Sequence, residues 1–157
     1  MRSISATTRR PRRGERPGKD YFFISLQEFK KRRKRHQFLE WAKVLGCYYG
    51  TPRKFLQEHI NRGDDILLSI DVQGALKVKS KVGGAVFIFI APPSFEELER
   101  RLRQRSTESK TEIARRLKLA KKEMGFKKEY NYVVLNDKIS RALARLKAIV
   151  YFERKKG

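Results

Sequence analysis

Cysteine is almost missing from this chain. Cys47 is the single one in 157 residues, so no internal disulfide can form and the fold has to rest on packing, as suits a reducing compartment. The two histidines, His36 and His59, have no partner pattern, which leaves neither zinc-site spacing nor a nucleophile triad. Long apolar runs are missing too: Ala85 to Ala91 is far too short to span a bilayer, and the Arg-rich beginning lacks the apolar stretch of a signal peptide. The expectation is a soluble, cytoplasmic protein with no membrane partner.

Acid is the other scarcity. Seventeen Asp and Glu stand against 39 Lys and Arg, a net charge of +22, which attracts phosphates and polyanions in general. From Met1 to His36 there are thirteen basic and three acidic residues, and Lys30 to Arg35 is an unbroken basic run. A solvated helix face accounts for that run, and nucleic acid is expected as a partner only non-specifically, with steep salt dependence.

What is present is a foldable pattern. At 39% hydrophobic and 11% aromatic residues, with apolar positions in separated runs, the chain is no disordered polyelectrolyte and fits one compact domain with a mobile subdomain. Arg10 to Lys19 reads as an extended loop, Asp20 to Ser25 as a short strand, and a helix follows from Leu26. Gly46 to Thr51 reads as strand or turn, and Pro52 at N1 opens a helix that Gly63 caps. Ile66 to Ile70 and Ala85 to Ile90 are β-branched-rich runs of the kind buried on both faces of a parallel sheet, with Tyr132 to Leu135 a weaker third. Between and after them the pattern is helical. Ser94 and Ser109 open capping boxes, and a final helix from about Lys138 lines up Leu143, Leu146, Ile149 and Val150 for docking on a sheet. The alternation points to an α/β fold.

Three clusters carry chemistry. Ser5 to Arg12 combines three hydroxyls with guanidiniums that bind phosphate bidentately, although any basic tail contains such a set. Asp71, directly after an apolar run, stands where α/β folds present ligand contacts, and equally where an Asp caps a helix. Arg101 and Arg105 are spaced i,i+4 with Arg116 on the next helix, an arrangement suited to a triphosphate or to plain solvation.

In order, the segments Ser3 to Arg12, Gly14-Glu15, Gly18 to Tyr21, Phe38 to Ala42, Tyr48 to Thr51, Ile70 to Gly74, Ala91 to Ser94 and Val134 to Asp137 resemble the guanylate kinase family. The resemblance covers nearly the whole chain. It implies a parallel sheet flanked by helices of the P-loop nucleoside monophosphate kinase type, with residues 3–62 binding GMP, 63–93 and 131–157 forming the core, and 94–130 a lid. It implies an enzyme that phosphorylates GMP to GDP with ATP and Mg2+. It further implies that Arg9, Arg12, Tyr21 and Tyr49 grip the GMP phosphate, that Glu40 and Asp71 accept from guanine N1 and N2, and that Ser5 and Thr51 donate toward O6. Arg101, Arg105 and Arg116 match the lid and donor-phosphate arginines, and Asn136 lies near the ATP adenine.

The chain departs from the family in three places. No Gly-Lys-Ser or Gly-Lys-Thr occurs, so a first strand and P-loop are expected to be missing and the 157 residues alone to turn over little. A start placed too late, a truncated homologue, or a domain binding GMP or phosphopeptides without catalysis each fit that absence. Ser69 stands where the family usually has Asp, which predicts weaker magnesium handling. Ser106 replaces a Gly after Arg105, which predicts a stiffer lid turn.

Overall fold

A computed structural model describes residues 1–104 and 109–156. The chain divides into two compact units, Met1–Gly83 and Gly84–Gly157. Each is α/β, a sheet with helices beside it.

The first unit is built on strands β1 (Ala6–Thr7), β2 (Phe22–Phe23), β3 (Phe38–Val44) and β4 (Cys47–Pro52), in the order β2-β1-β4-β3. Only the β1–β2 pair is parallel. Its helices are α1 (Leu26–Lys34), α2 (Arg53–Ile60) and α3 (Val72–Lys79). The period-2 alternation of a strand sorts the side chains onto two faces. On one face Ala6 and Phe38 are buried with Phe29 of α1, and Ile24, Trp41 and Tyr48 pack around them. Phe29 stacks on Phe38 at 4.6 Å between centroids, a burial worth roughly 1.5–3 kcal/mol. The register shifts between Phe38 and Glu40. Phe38 therefore pairs with Pro52 and Glu40 with Thr51, which sends Phe38 into the apolar core and Glu40 to the opposite face.

Ile66 to Ile70 does not become a regular strand. Leu67 makes one bridge, to Arg2, with Ser3 N donating to the Leu67 carbonyl at 3.0 Å and Leu67 N to the Met1 carbonyl at 2.7 Å. The ladder ends with that bridge, and a strand extends only as far as its ladder does. Pro52 is the N-cap of α2 rather than its first residue.

In the second unit β5 (Ile88–Ala91) pairs in parallel with β6 (Tyr132–Leu135), Ile88 facing Tyr132. Helices α4 (Phe95–Gln104), α5 (Lys110–Met124) and α6 (Ile139–Arg154) complete it. Ser109 and Glu112 form the full capping box. Ser94 makes only half of one: its Oγ accepts from Glu97 N at 3.1 Å, while the Glu97 carboxylate is drawn to Arg100 and Arg101. On α6 the stripe is rotated from expectation. Ala142 is buried and Leu146 and Ile149 half-buried, whereas Leu143 and Val150 are exposed; the small Ala142 lets the helix seat closely along that line. No helix among the described residues is long and apolar enough to cross a membrane.

Candidate active site

The face of the first sheet opposite its core is polar, and it gathers most of the singled-out residues. Thr7 on β1 pairs with Phe23 on β2 and with Tyr49 on β4, and Tyr49 with Ala42 on β3. Directly paired residues share a face, and so do residues two apart on one strand. Ser5, Thr7, Tyr21, Glu40, Tyr49 and Thr51 consequently point to one side.

At one end of this face the loop from Thr8 to Asp20 is stitched down by its own polar groups. Thr7 Oγ1 donates to the Tyr48 carbonyl at 3.0 Å, and Tyr48 N donates to Thr8 Oγ1 at 2.9 Å. Gly14 (φ +86°) and Gly18 (φ +75°) take the left-handed turns that double the loop back. Inside it the Glu15 carboxylate receives Arg9 Nη1 at 3.0 Å and Nη2 at 2.8 Å, together with the Arg12 backbone N–H at 2.6 Å. Glu15 holds the Arg9 guanidinium well above its usual value, aided by the Tyr49 hydroxyl, and Arg9 in turn holds Glu15 below the usual carboxylate range. The guanidinium lies 5.5 Å from the Tyr21 ring centroid, and Tyr21 meets Tyr49 edge-on at 6.0 Å. Arg9, Tyr21 and Tyr49 are thus one cluster, with Arg12 in the same loop. Glu15 was not assigned a role from sequence; an acid within a run of arginines, three residues after Arg12, was its available signal.

Toward the other edge sits a second cluster. Glu40 is 4% exposed. Its Oε1 accepts from Thr51 Oγ1 at 2.6 Å, and its Oε2 lies beside Gly74, where a Cβ would approach to 2.7 Å. Burial pushes its pKa up, the Asp71 charge adds to this, and the Thr51 hydrogen bond and Lys77 oppose it. The expectation that Thr51 donates toward a guanine O6 meets a prior claim: its one proton is given to Glu40 and the residue is fully buried. Asp71 is the helix cap its position allowed: Oδ1 accepts from Gln73 N at 2.9 Å and Gly74 N at 3.2 Å.

In the second unit Arg101 Nε donates to Glu97 at 2.7 Å, Nη1 to the Asn136 carbonyl at 2.9 Å and Nη2 to the Asp137 carbonyl at 3.2 Å. Arg100 and Arg101 lower Glu97 to about 2. Arg101 and Asn136 line a cleft of about 230 Å³ with Ile90, Pro92, Leu98 and Leu102. Arg116 is half-buried on α5, and Arg105 and Ser106 lie outside the described residues. Among the described residues no group of three or more His, Cys, Asp or Glu gathers to hold a metal.

Comparisons with known proteins point to one family. The family described as guanylate kinase matches residues 1–153. The chain is 53% identical over 152 residues to a guanylate kinase of Caldanaerobacter subterraneus subsp. tengcongensis, covering 97% of this chain and 74% of that protein. It is 49% identical over 154 residues to one of Thermotoga maritima, covering 98% and 74%. Among solved structures, guanylate kinase from Anaplasma phagocytophilum superposes with a TM-score of 0.86 at 39% identity, over 98% of this chain and 75% of that one.

Proposed function

The chain belongs to the guanylate kinase family, enzymes that move a phosphoryl group from ATP to GMP, and from that premise we propose how its residues divide the work. The loop cluster of Arg9, Arg12, Tyr21 and Tyr49 holds the GMP phosphate, guanidiniums and phenol hydroxyls supplying charge-assisted hydrogen bonds. Glu40 and Asp71 Oδ2 accept the guanine N1 and N2 hydrogens, and Ser5 donates toward O6. Thr51, committed to Glu40, orients that carboxylate. Adenine presents an acceptor at N1 and no donor at C2, so the same pair of carboxylates repels it.

On the ATP side, Asn136 and Arg101 shape the base cleft, and Arg105 and Arg116 are assigned to the phosphates, with residues 94–130 as a lid. In the transfer an oxygen of the GMP phosphate attacks the γ-phosphorus, the bond to the β-phosphate oxygen breaks, and ADP leaves. The protein's share is to align the two and to neutralise charge on the moving oxygens, which is what the arginines do. Magnesium is proposed to enter on the ATP phosphates. The described residues form no cage for it, and Ser69 contributes no charge.

The observation that supports this reading above others is the Glu40 carboxylate, desolvated at 4% exposure with Thr51 as its one hydrogen-bonding residue among the described residues. A buried acid held at that cost without a cation bound to it is the mark of a recognition site. Calorimetric titration of the chain with GMP and AMP tests it. GMP is expected to bind at least tenfold more tightly; equal binding of both would remove the guanine assignment.

A further inference from the structure

Strand β3 is the edge of its sheet, and an edge leaves carbonyls without ladder partners. Helix α3 answers them. Lys77 Nζ donates to the Trp41 carbonyl at 2.5 Å and lies 4.7 Å from the centre of the Trp41 ring. Lys81, one turn on, reaches the Leu39 carbonyl at 3.5 Å. Helix α3 is the element that begins at Asp71 and passes Gly74 against Glu40, and Trp41 is the next residue after Glu40 on β3. One ammonium group therefore fastens the helix that carries one guanine-reading carboxylate to the strand that carries the other.

We propose that Lys77 is a positioning residue for guanine recognition: by clamping α3 to the β3 edge beside Glu40, it sets the spacing of Glu40 and Asp71 that distinguishes guanine from other bases. The inference rests on the assignment of those two carboxylates to the base.

Geometry and charge act in the same direction. Two carboxylates turned toward one base repel each other, and each is useful only while ionised, since a protonated acid no longer accepts from both N1 and N2. Asp71 raises the Glu40 pKa and Lys77 lowers it. Asp71 and Lys77 are the charges that act on Glu40; the cleft that Glu40 lines also takes in Lys81, Arg53 at the start of α2, Arg33 on α1, and His36. Lys77 is bonded to the carbonyl that follows Glu40 and Lys81 reaches the one before it, while Arg33 lies 4.9 Å from the centre of the Trp41 ring.

The test compares Lys77→Met and Lys77→Arg with Lys54→Met, at an exposed lysine of α2, in the full chain, titrated with GMP, IMP and AMP across pH 4–8. Methionine keeps the stem on the tryptophan ring and removes both donor and charge. Expected for Lys77→Met is about a tenfold loss of GMP affinity at neutral pH, a smaller GMP-to-IMP ratio, because IMP lacks the N2 hydrogens, and an acid limb of GMP binding moved to higher pH. Lys77→Arg should restore most of this, and Lys54→Met should leave all three readouts at the parent values. If Lys77→Met only lowers the melting temperature and leaves affinity, ratio and acid limb unchanged, or if Lys54→Met moves them as far, the proposal fails. Should Lys77→Met not fold, Lys77→Gln retains a donor without the charge, and an unmoved acid limb in that variant overturns the proposal equally. A parent chain that binds GMP and AMP alike instead overturns the guanine assignment itself, a result visible before any variant is made.

Discussion

Gly74 and Glu40 occupy each other's space: a Cβ on Gly74 would come within 2.7 Å of Glu40 Oε2 and 3.1 Å of its carboxyl carbon. The glycine stands in the first turn of α3, where its lack of a side chain costs helix stability. The vacancy is what admits the carboxylate.

Gly74→Ala should therefore separate stability from recognition. Alanine favours the helix by up to about 1 kcal/mol, offsetting part of the clash, while the Glu40 carboxylate has to turn aside. The expected outcome is a melting temperature near the parent's and a GMP affinity lowered about tenfold or more, with AMP binding little changed. Calorimetry beside thermal unfolding reads both; retained GMP affinity would show that the Glu40 position is not what binds guanine.

Glu40→Gln should stabilise the protein at neutral pH. The folded-state pKa of Glu40 is raised chiefly by burial, so the folded form prefers the proton more than the unfolded form does. Stability is accordingly fullest below the unfolded carboxylate value, about 4.3, and falls as pH rises through the folded value. Glutamine still accepts from Thr51 and never ionises. Its expected gain at pH 7 is roughly 0.5–2 kcal/mol, vanishing near pH 4, together with loss of preference for GMP over AMP. A lower melting temperature at pH 7 than the parent would contradict it.

Glu15→Ala is expected to weaken GMP binding although it makes the site more positive. Glu15 fixes the Arg9 guanidinium through both oxygens and anchors the Arg12 N–H, and an oriented fork binds phosphate better than a free one. Affinity for GMP should fall several-fold while guanosine, which has no phosphate, binds as before. A rise in GMP affinity would mean that net charge outweighs orientation.

Arg101→Met should destabilise the second unit by roughly 1–2 kcal/mol, because the Asn136 and Asp137 carbonyls lose their guanidinium. Arg101→Lys should recover only part of that, one ammonium being unable to serve Glu97 and both carbonyls at once. Urea unfolding of the two variants checks the order; equal stabilities would show the fork to be incidental.

Much of this protein was open to reading from its residues alone. The helix caps at Asp71 and Ser109 follow from local hydrogen bonding within four residues, and the strands 88–91 and 132–135 from apolar, β-branched runs. The roles expected of Arg9, Tyr21, Glu40 and Tyr49 came from the resemblance of the ordered segments to the family. What sequence could not reach were relations that depend on register and on partners distant in the chain. The shift between Phe38 and Glu40, which turns one into the core and the other to the site, is set by pairing with β4. The single bridge at Leu67 reflects who lies beside it, and the α6 stripe turns on which line of the helix seats most closely. Residue types and local spacing determined the family and the helix caps; the surroundings of Glu40, with Thr51, Gly74 and Lys77, were decided in three dimensions, because a buried charge is governed by neighbours that only folding brings within a few ångströms.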